Sequence, residues 1–223
     1  MSFIQFDLVH PDTQTKERPQ TLYLKGGKRL LDLILALALL PLLLPIIFGL
    51  ALCISPNPRR ALFGHRRLGR MGQEFFCYKL RTMVMDADQK LLEALQNDPD
   101  ARREWAQTHK LKNDPRITKI GRFLRKTSLD ELPQIFNVIK GDMSFVGPRP
   151  ITLEEVEHYG KDLTSYLTLR PGITGLWQVN GRNDISYQSR VRLDVSYRGK
   201  ASALSDIWLM IRTVGVIFNG TGH

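Results

Sequence analysis

Cysteine is scarce. The 223 residues hold only Cys53 and Cys77, too few for a disulfide framework, so nothing in the chain asks for an oxidising compartment. The five histidines are scattered without metal-ligand spacing, which argues against a histidine-built metal centre. No segment repeats at a fixed period, which excludes a solenoid. At 43% hydrophobic and 24% charged, the composition excludes a disordered, collagenous or low-complexity chain. The length fits one domain, or one domain with a short appendage. Acidic residues are locally missing, and the net charge is +10. From Arg59 to Arg81 seven bases face one acid, Glu74, and from Arg116 to Lys126 five bases face none. Such local surpluses point to a polyanionic partner: phosphate, nucleic acid or anionic lipid.

Charge is absent altogether from Leu33 to Ile54, a 22-residue apolar run. As an unbroken helix it would reach roughly 33 Å, enough for a bilayer core of about 30 Å. A cleaved signal peptide does not fit. The run is too long, starts late, and leads into Ser55-Pro56-Asn57-Pro58-Arg59-Arg60 rather than a small-residue cleavage site. A core helix apolar on every face would need more protein around it than this chain supplies. A plain spanning helix is the serious competitor. Against it stand Pro41 and Pro45 in mid-segment, and bases on both flanks: Lys25, Lys28 and Arg29 before, Arg59, Arg60, Arg66, Arg67 and Arg70 after. Proline removes a backbone donor, and the positive-inside rule places both flanks in the cytoplasm. The segment therefore reads as re-entrant, broken at Pro41 and Pro45. Asp32, costly to bury alone, is expected to pair with Lys28 or Arg29.

The expected organisation is an irregular arm over 1–24, a re-entrant membrane helix over 25–58 and a cytoplasmic domain over 59–223. The fold class is mainly α with short β elements (α+β), with amphipathic surface helices around a small domain. Short strands or turns are expected around Gly64, Gly69 and Gly72, and a helix or helix pair over Met85–Lys112 interrupted near Pro99. Residues 116–126 form a basic amphipathic helix, suited to an anionic membrane surface or simply to a core with a solvated back. Another helix begins near Leu129, residues 142–184 are loop-rich, and Asp206–Phe218 is an apolar-rich helix.

For chemistry, Gly64–Gly69 has phosphate-loop spacing without the lysine and hydroxyl that such a loop needs. Asp86-Ala-Asp88 could be a metal-binding pair, or acids at a helix start. The richest stretch is Ser128-Leu-Asp130-Glu131-Leu-Pro133. It fits a capping box of Ser128 with Glu131, or an Asp130 N-cap. Three features favour chemistry over capping. Adjacent carboxylates sit at a helix start, where the dipole favours an ionised Asp130. Arg125 and Lys126 lie just upstream, and a Gly-Pro-Arg-Pro turn follows, able to present Arg149. An ionised carboxylate among phosphate binders suits covalent phosphoryl chemistry with a divalent metal.

Four stretches then carry a resemblance: Lys79-Leu-Arg81-Thr-Met, Arg125-Lys-Thr-Ser-Leu-Asp130-Glu131-Leu-Pro-Gln, Gly141-Asp-Met-Ser-Phe-Val-Gly-Pro148-Arg149-Pro150, and Arg170-Pro-Gly-Ile-Thr-Gly-Leu-Trp177-Gln-Val-Asn-Gly-Arg182. From about Lys28 to the C-terminus the chain resembles the bacterial sugar transferases, monotopic phosphoglycosyl transferases that initiate exopolysaccharide and glycoconjugate assembly. It is most similar to their short exopolysaccharide-type members. The resemblance implies that Asp130 attacks the β-phosphate of a UDP-sugar, releases UMP and holds the phosphosugar. Polyprenyl (undecaprenyl) phosphate then accepts it. Glu131 would complete an acidic pair with Asp130 at Mg²⁺. Arg125, Arg149 and Arg182 would contact phosphate and nucleotide, together with Lys79 and Arg81, while Pro148 and Pro150 shape the pocket. The family's re-entrant helix breaks at Ser-Pro. Here Leu44-Pro45 stands at that position, so the serine is missing.

The implied setting is the cytoplasmic face of the bacterial inner membrane, with membrane lipids as partners and the oligomeric state, homo-oligomer included, left open. The sugar is expected to be a hexose such as glucose or galactose, and no residue in the chain decides between them. A membrane-attached glycosyltransferase using Asp86 and Asp88 would instead release UDP. A nucleic-acid-binding module gives no account of the apolar segment, so nucleic acid is not an expected partner.

Overall fold

The computed structural model describes residues 22–108, 111–180 and 185–218. Most of the expected arm lies outside that range, but Leu22–Leu24 is already helical. A π-helical turn, Tyr23–Gly27, leads into α1, Lys28–Ile54. The expected break is corrected: α1 continues through Pro41 and Pro45 as one helical element. Each proline deletes one intrahelical bond, and the bonds of neighbouring residues carry the helix across.

α1 is anchored at both ends to the same domain. At its start, the Lys28 ammonium pairs with Asp206 at 2.5 Å, both groups buried. Asp206 also accepts hydrogen bonds from the Tyr23 and Tyr197 hydroxyls, each at 2.6 Å. Arg29 donates to the carbonyls of Val138 and Ile139. Asp32 pairs with neither of its expected partners; its Oδ1 accepts from the Ser144 hydroxyl and the Phe145 amide. At its far end, Ile47 and Ala51 are buried in one core with Ala61, Phe75, Cys77, Leu80 and Leu124. Between the anchors, Leu37, Leu39, Leu42, Leu44, Ile46 and Phe48 are exposed.

A short α2, Pro58–Ala61, turns the chain into an antiparallel hairpin of β1, Leu62–Leu68, and β2, Glu74–Leu80. Helices α3, Ala87–Asn97, and α4, Pro99–Thr108, form the expected interrupted pair. The basic helix α5 spans Lys119–Thr127, capped by the Thr118 side chain. Its apolar face, through Ile120 and Leu124, packs into the core. The solvated-back alternative therefore holds, and only Phe123 of that set is well exposed.

α6, Gln134–Lys140, crosses behind the hairpin. Asn137, fully buried in an otherwise apolar run, accepts from the Tyr78 amide and donates to the Phe76 carbonyl, tying α6 to the β2 backbone. The loop-rich region contains a parallel pair, β3, Ser144–Val146, and β4, Gly172–Thr174, linked through α7, Leu163–Leu167. A Cβ on Gly172 would lie 2.1 Å from the Gly147 nitrogen, so these strands meet only because that side chain is absent. Helices α8, Leu176–Val179, α9, Tyr187–Lys200, and α10, Ala203–Phe218, complete the domain. On α10, Leu204, Ile207, Trp208, Ile211 and Val214 are exposed, so this helix does present an apolar surface.

Removing one member of the Lys28–Asp206 pair leaves a buried charge without its counterion. Asp206→Ala is expected to lower stability by about 3–5 kcal/mol, read by chemical denaturation in detergent. A loss below about 1 kcal/mol, the size of an exposed pair, would show that the anchor is dispensable.

Candidate active site

The site forms where β2 runs beside the turn after α5. α5 ends at Ser128 in the left-handed conformation (φ 55°, ψ 18°), and Leu129–Glu131 makes one 3₁₀ turn before α6. No side-chain cap forms at either position, so both capping alternatives are corrected. The reversal at Ser128 instead turns Asp130 and Glu131 toward Lys79 on β2. The Lys79 ammonium lies 2.6 Å from Glu131 Oε1 and 3.8 Å from Asp130 Oδ2.

The electrostatics of the pair are unequal. Asp130 is buried at 7% exposure, Glu131 half-buried. Burial raises the Asp130 pKa to about 6, Lys79 and Arg125 oppose that rise, and Glu131 adds to it. Desolvation, not the helix dipole, therefore dominates at Asp130, contrary to the sequence expectation. The group is still mostly ionised at neutral pH. Burial works against the Lys79 charge too, but the two carboxylates outweigh it and hold its pKa above that of an ordinary lysine. The neighbouring Cys77 is no competing nucleophile, because burial pushes its thiol up to about 11.

Arg125 reaches the site from α5. Its Nε donates to the Thr82 hydroxyl at 2.9 Å, and its charge acts on Asp130. Arg149 stands in an adjoining cluster, 5.4 Å from the Trp177 ring, which Arg190 also faces at 4.7 Å. Beneath them lies buried Asp194, raised to about 7 by desolvation against the Tyr159 hydroxyl bond and the charges of Arg149 and Arg190. The two clusters adjoin at Cys77, whose thiol feels Lys79 and Glu131 from one and Arg67 and Arg149 from the other. Pro148 is buried, and its carbonyl accepts from Gly172; Pro150 is half-buried beside it. Arg81 is not brought in: its Nε donates to the Arg60 carbonyl and its guanidinium covers Phe63. Arg182 lies outside the described residues.

Sequence reasoning missed Asn137, Thr82, Arg67, Arg190 and Asp194. Only Asn137 carried a readable signal, as the polar residue in an apolar helical run. Asp86 and Asp88 are both exposed at the start of α3. Among the described residues no three or more His, Cys, Asp or Glu side chains gather as a metal cage. A Mg²⁺ ion ordinarily needs only one or two carboxylates, with water and substrate phosphates completing its shell. The Asp130–Glu131 pair fits that manner of binding.

Residues 23–220 match the profile of the bacterial sugar transferase family. The chain is 49% identical over 195 residues to the UDP-galactose-lipid carrier transferase of Erwinia amylovora. It is likewise 49% identical over 195 residues to the undecaprenyl-phosphate galactose phosphotransferase of Salmonella typhimurium. Each match covers 87% of this chain and 41% of the relative, so the chain spans about two fifths of those proteins' length. The exopolysaccharide production protein ExoY of Rhizobium meliloti is 45% identical, with 86% of each chain covered.

The asymmetry of the carboxylates is directly measurable. Carbon-13 NMR of the Asp130 carboxyl, without divalent cations, should show titration near pH 6. Lys79→Met removes the main charge opposing that rise and should move the midpoint upward. An unchanged or lower midpoint would mean that Lys79 does not govern Asp130.

Proposed function

The chain belongs to the bacterial sugar transferase family, and we propose that it transfers a sugar-1-phosphate from a UDP-sugar to polyprenyl (undecaprenyl) phosphate, releasing UMP. The observation that carries this reading is the buried but largely ionised Asp130, held against Lys79 with arginines beside it. A carboxylate so placed is partly stripped of water yet still charged, which suits a nucleophile toward phosphorus.

In the first step an Asp130 oxygen attacks the sugar-bearing phosphorus. The bond from that phosphorus to the bridging oxygen breaks, and its electron pair leaves with UMP. The sugar phosphate remains on Asp130 as an acyl phosphate. In the second step an oxygen of the polyprenyl phosphate attacks the same phosphorus, and the bond to Asp130 breaks. The products are a polyprenyl diphosphate sugar and the restored carboxylate. Lys79 orients both carboxylates and offsets negative charge on the reacting phosphoryl group, while Arg125 and Arg149 bind donor phosphates. Asp130 and Glu131 would hold Mg²⁺, which supplies further neutralisation of phosphoryl charge when bound. Galactose in the names of two relatives makes UDP-galactose the first donor to test, with UDP-glucose beside it.

The apolar α1 is read as a re-entrant membrane segment on the cytoplasmic face. Support comes from its anchoring: Lys28 and Asp32 at its start and Ile47 and Ala51 near its end hold to one domain, with exposed leucines between. A straight spanning helix would separate those ends by the membrane. The exposed apolar face of α10 is consistent with a seat at the lipid surface.

Intact-protein mass spectrometry after brief incubation with UDP-sugar and Mg²⁺, without lipid acceptor, tests the covalent step. Wild type should gain one hexose phosphate on the peptide holding Asp130 and release a stoichiometric burst of UMP. Asp130→Asn should do neither. Full activity with lipid but no adduct and no burst would favour direct attack by the polyprenyl phosphate. Topology is tested with single cysteines at residues 20 and 58 in a chain lacking Cys53 and Cys77. An impermeant thiol reagent should label neither until the inner membrane is opened. Labelling of one alone would make α1 a spanning helix.

A further inference from the structure

Where α1 meets the domain, a narrow pocket opens between the helix start, β3 and α9, lined by Lys28, Asp32, Arg70, Ser144, Arg170 and Arg198 among others. Its charges do not balance internally. Lys28 is taken by Asp206, and Arg170 donates only its Nε, to the Gly141 carbonyl at 2.9 Å. The side chains of Arg70 and Arg198 form no hydrogen bond or ion pair among the described residues. Burial, then the nearby charges of Arg70 and Arg29, work against the charge on Arg170, so these cations repel one another. Three guanidinium groups around one opening make a seat for a phosphate group.

The floor has a different chemistry. Asp32 is 4% exposed, and its Oδ2 has no hydrogen-bond partner although its Oδ1 has two. A buried carboxylate oxygen left in that state asks for a donor. Lys28, Asp32 and Ser144 are buried, Arg170 and Arg198 half-buried, and Arg70 exposed, so the arginines form the rim. The enclosed space is about 20 Å³. That is room for a group the size of a water, such as an ammonium or a hydroxyl. A phosphate must therefore stay at the rim, with only a small donor reaching the floor.

We propose that this pocket binds the headgroup of a membrane phospholipid whose phosphodiester is followed by a hydrogen-bond donor, as in ethanolamine or glycerol. Arg70, Arg170 and Arg198 hold the phosphodiester, and the terminal ammonium or hydroxyl donates to Asp32 Oδ2. A choline headgroup has the phosphate but lacks the donor, and its trimethylammonium is too large for the floor. The site thus distinguishes lipids by headgroup at the point where α1 leaves the domain. It rests on the membrane seat of α1 proposed above, but not on the catalytic assignment of Asp130.

The test is native mass spectrometry of the full chain, delipidated in detergent and exposed to phosphatidylethanolamine, phosphatidylglycerol and phosphatidylcholine of matched acyl chains. Wild type should retain one ethanolamine or glycerol lipid in preference to the choline lipid by about tenfold, the scale of one charge-assisted contact. Arg70→Gln combined with Arg198→Gln should weaken retention of all three lipids about tenfold while the melting temperature in detergent stays near wild type. Equal retention of all three lipids would overturn the proposal and leave the membrane reading standing. A chain that stays monomeric without detergent and retains no lipid would overturn both. Displacement of the bound lipid by millimolar inorganic phosphate would assign the rim to a soluble anion. Stoichiometric displacement by undecaprenyl phosphate would assign it to the acceptor. Either result overturns the proposal.

Discussion

A buried ammonium has to be neutralised, and much of this architecture follows from how Lys28 is neutralised. Its counterion, Asp206, sits at the start of the C-terminal helix, and two tyrosine hydroxyls also donate to that carboxylate. The rings of the same tyrosines, Tyr23 and Tyr197, lie within 5.8 and 5.5 Å of the ammonium. Paired in this way, the two charges avoid the penalty of an isolated buried charge. It also fixes a direction. α1 leaves the domain from one defined point, and the backbone contacts of Arg29 and Asp32 set its rotation about its own axis. The packing of Ile47 and Ala51 then returns the helix to the hairpin on which Lys79 stands.

The Asp130–Glu131 pair shows the opposite balance, an interaction held short of full neutralisation. Lys79 lies close to Glu131 and at longer range from Asp130. Glu131 thus takes the strong ion pair, while Asp130 keeps a charge that burial has made less comfortable. A carboxylate fully paired at short range would be a poor nucleophile, and one fully buried without a cation would be protonated. The 3₁₀ turn achieves this difference between adjacent residues by sending consecutive side chains to different depths.

The sequence was informative wherever a pattern had one physical solution. The stretch around Gly64, Gly69 and Gly72 became short strands and the Pro99 interruption fell where expected, while the 22-residue apolar run became a helix without the expected break. Lys79, Asp130 and Glu131 came together as the motif order implied. The errors arose where a local rule met a tertiary partner. Ser128 and Glu131 match a capping box letter for letter, yet a left-handed Ser128 and the pull of Lys79 spend the side chains elsewhere. Lys28, Arg29 and Asp32 look self-sufficient on one helix face, but each found a partner more than 100 residues away. Arg81 sits beside Lys79 in the motif and points away, because the hairpin end places Phe63 and the Arg60 carbonyl within its reach. The β3–β4 pair was invisible because strands this short carry no period, and the close approach of Gly147 and Gly172 is a property of the pairing.

The span of the Lys28–Asp206 contact also sets a clock. The two residues are 178 positions apart. At roughly 5–20 residues per second, a ribosome takes about 10–40 s between making one and making the other. For most of that interval α1 is complete and apolar, while the carboxylate that secures its charged entrance does not yet exist. Other groups must hold Lys28 in the meantime. Docking of the helix start is therefore a late event in biogenesis, and the domain receives α1 only after α10 has begun to emerge.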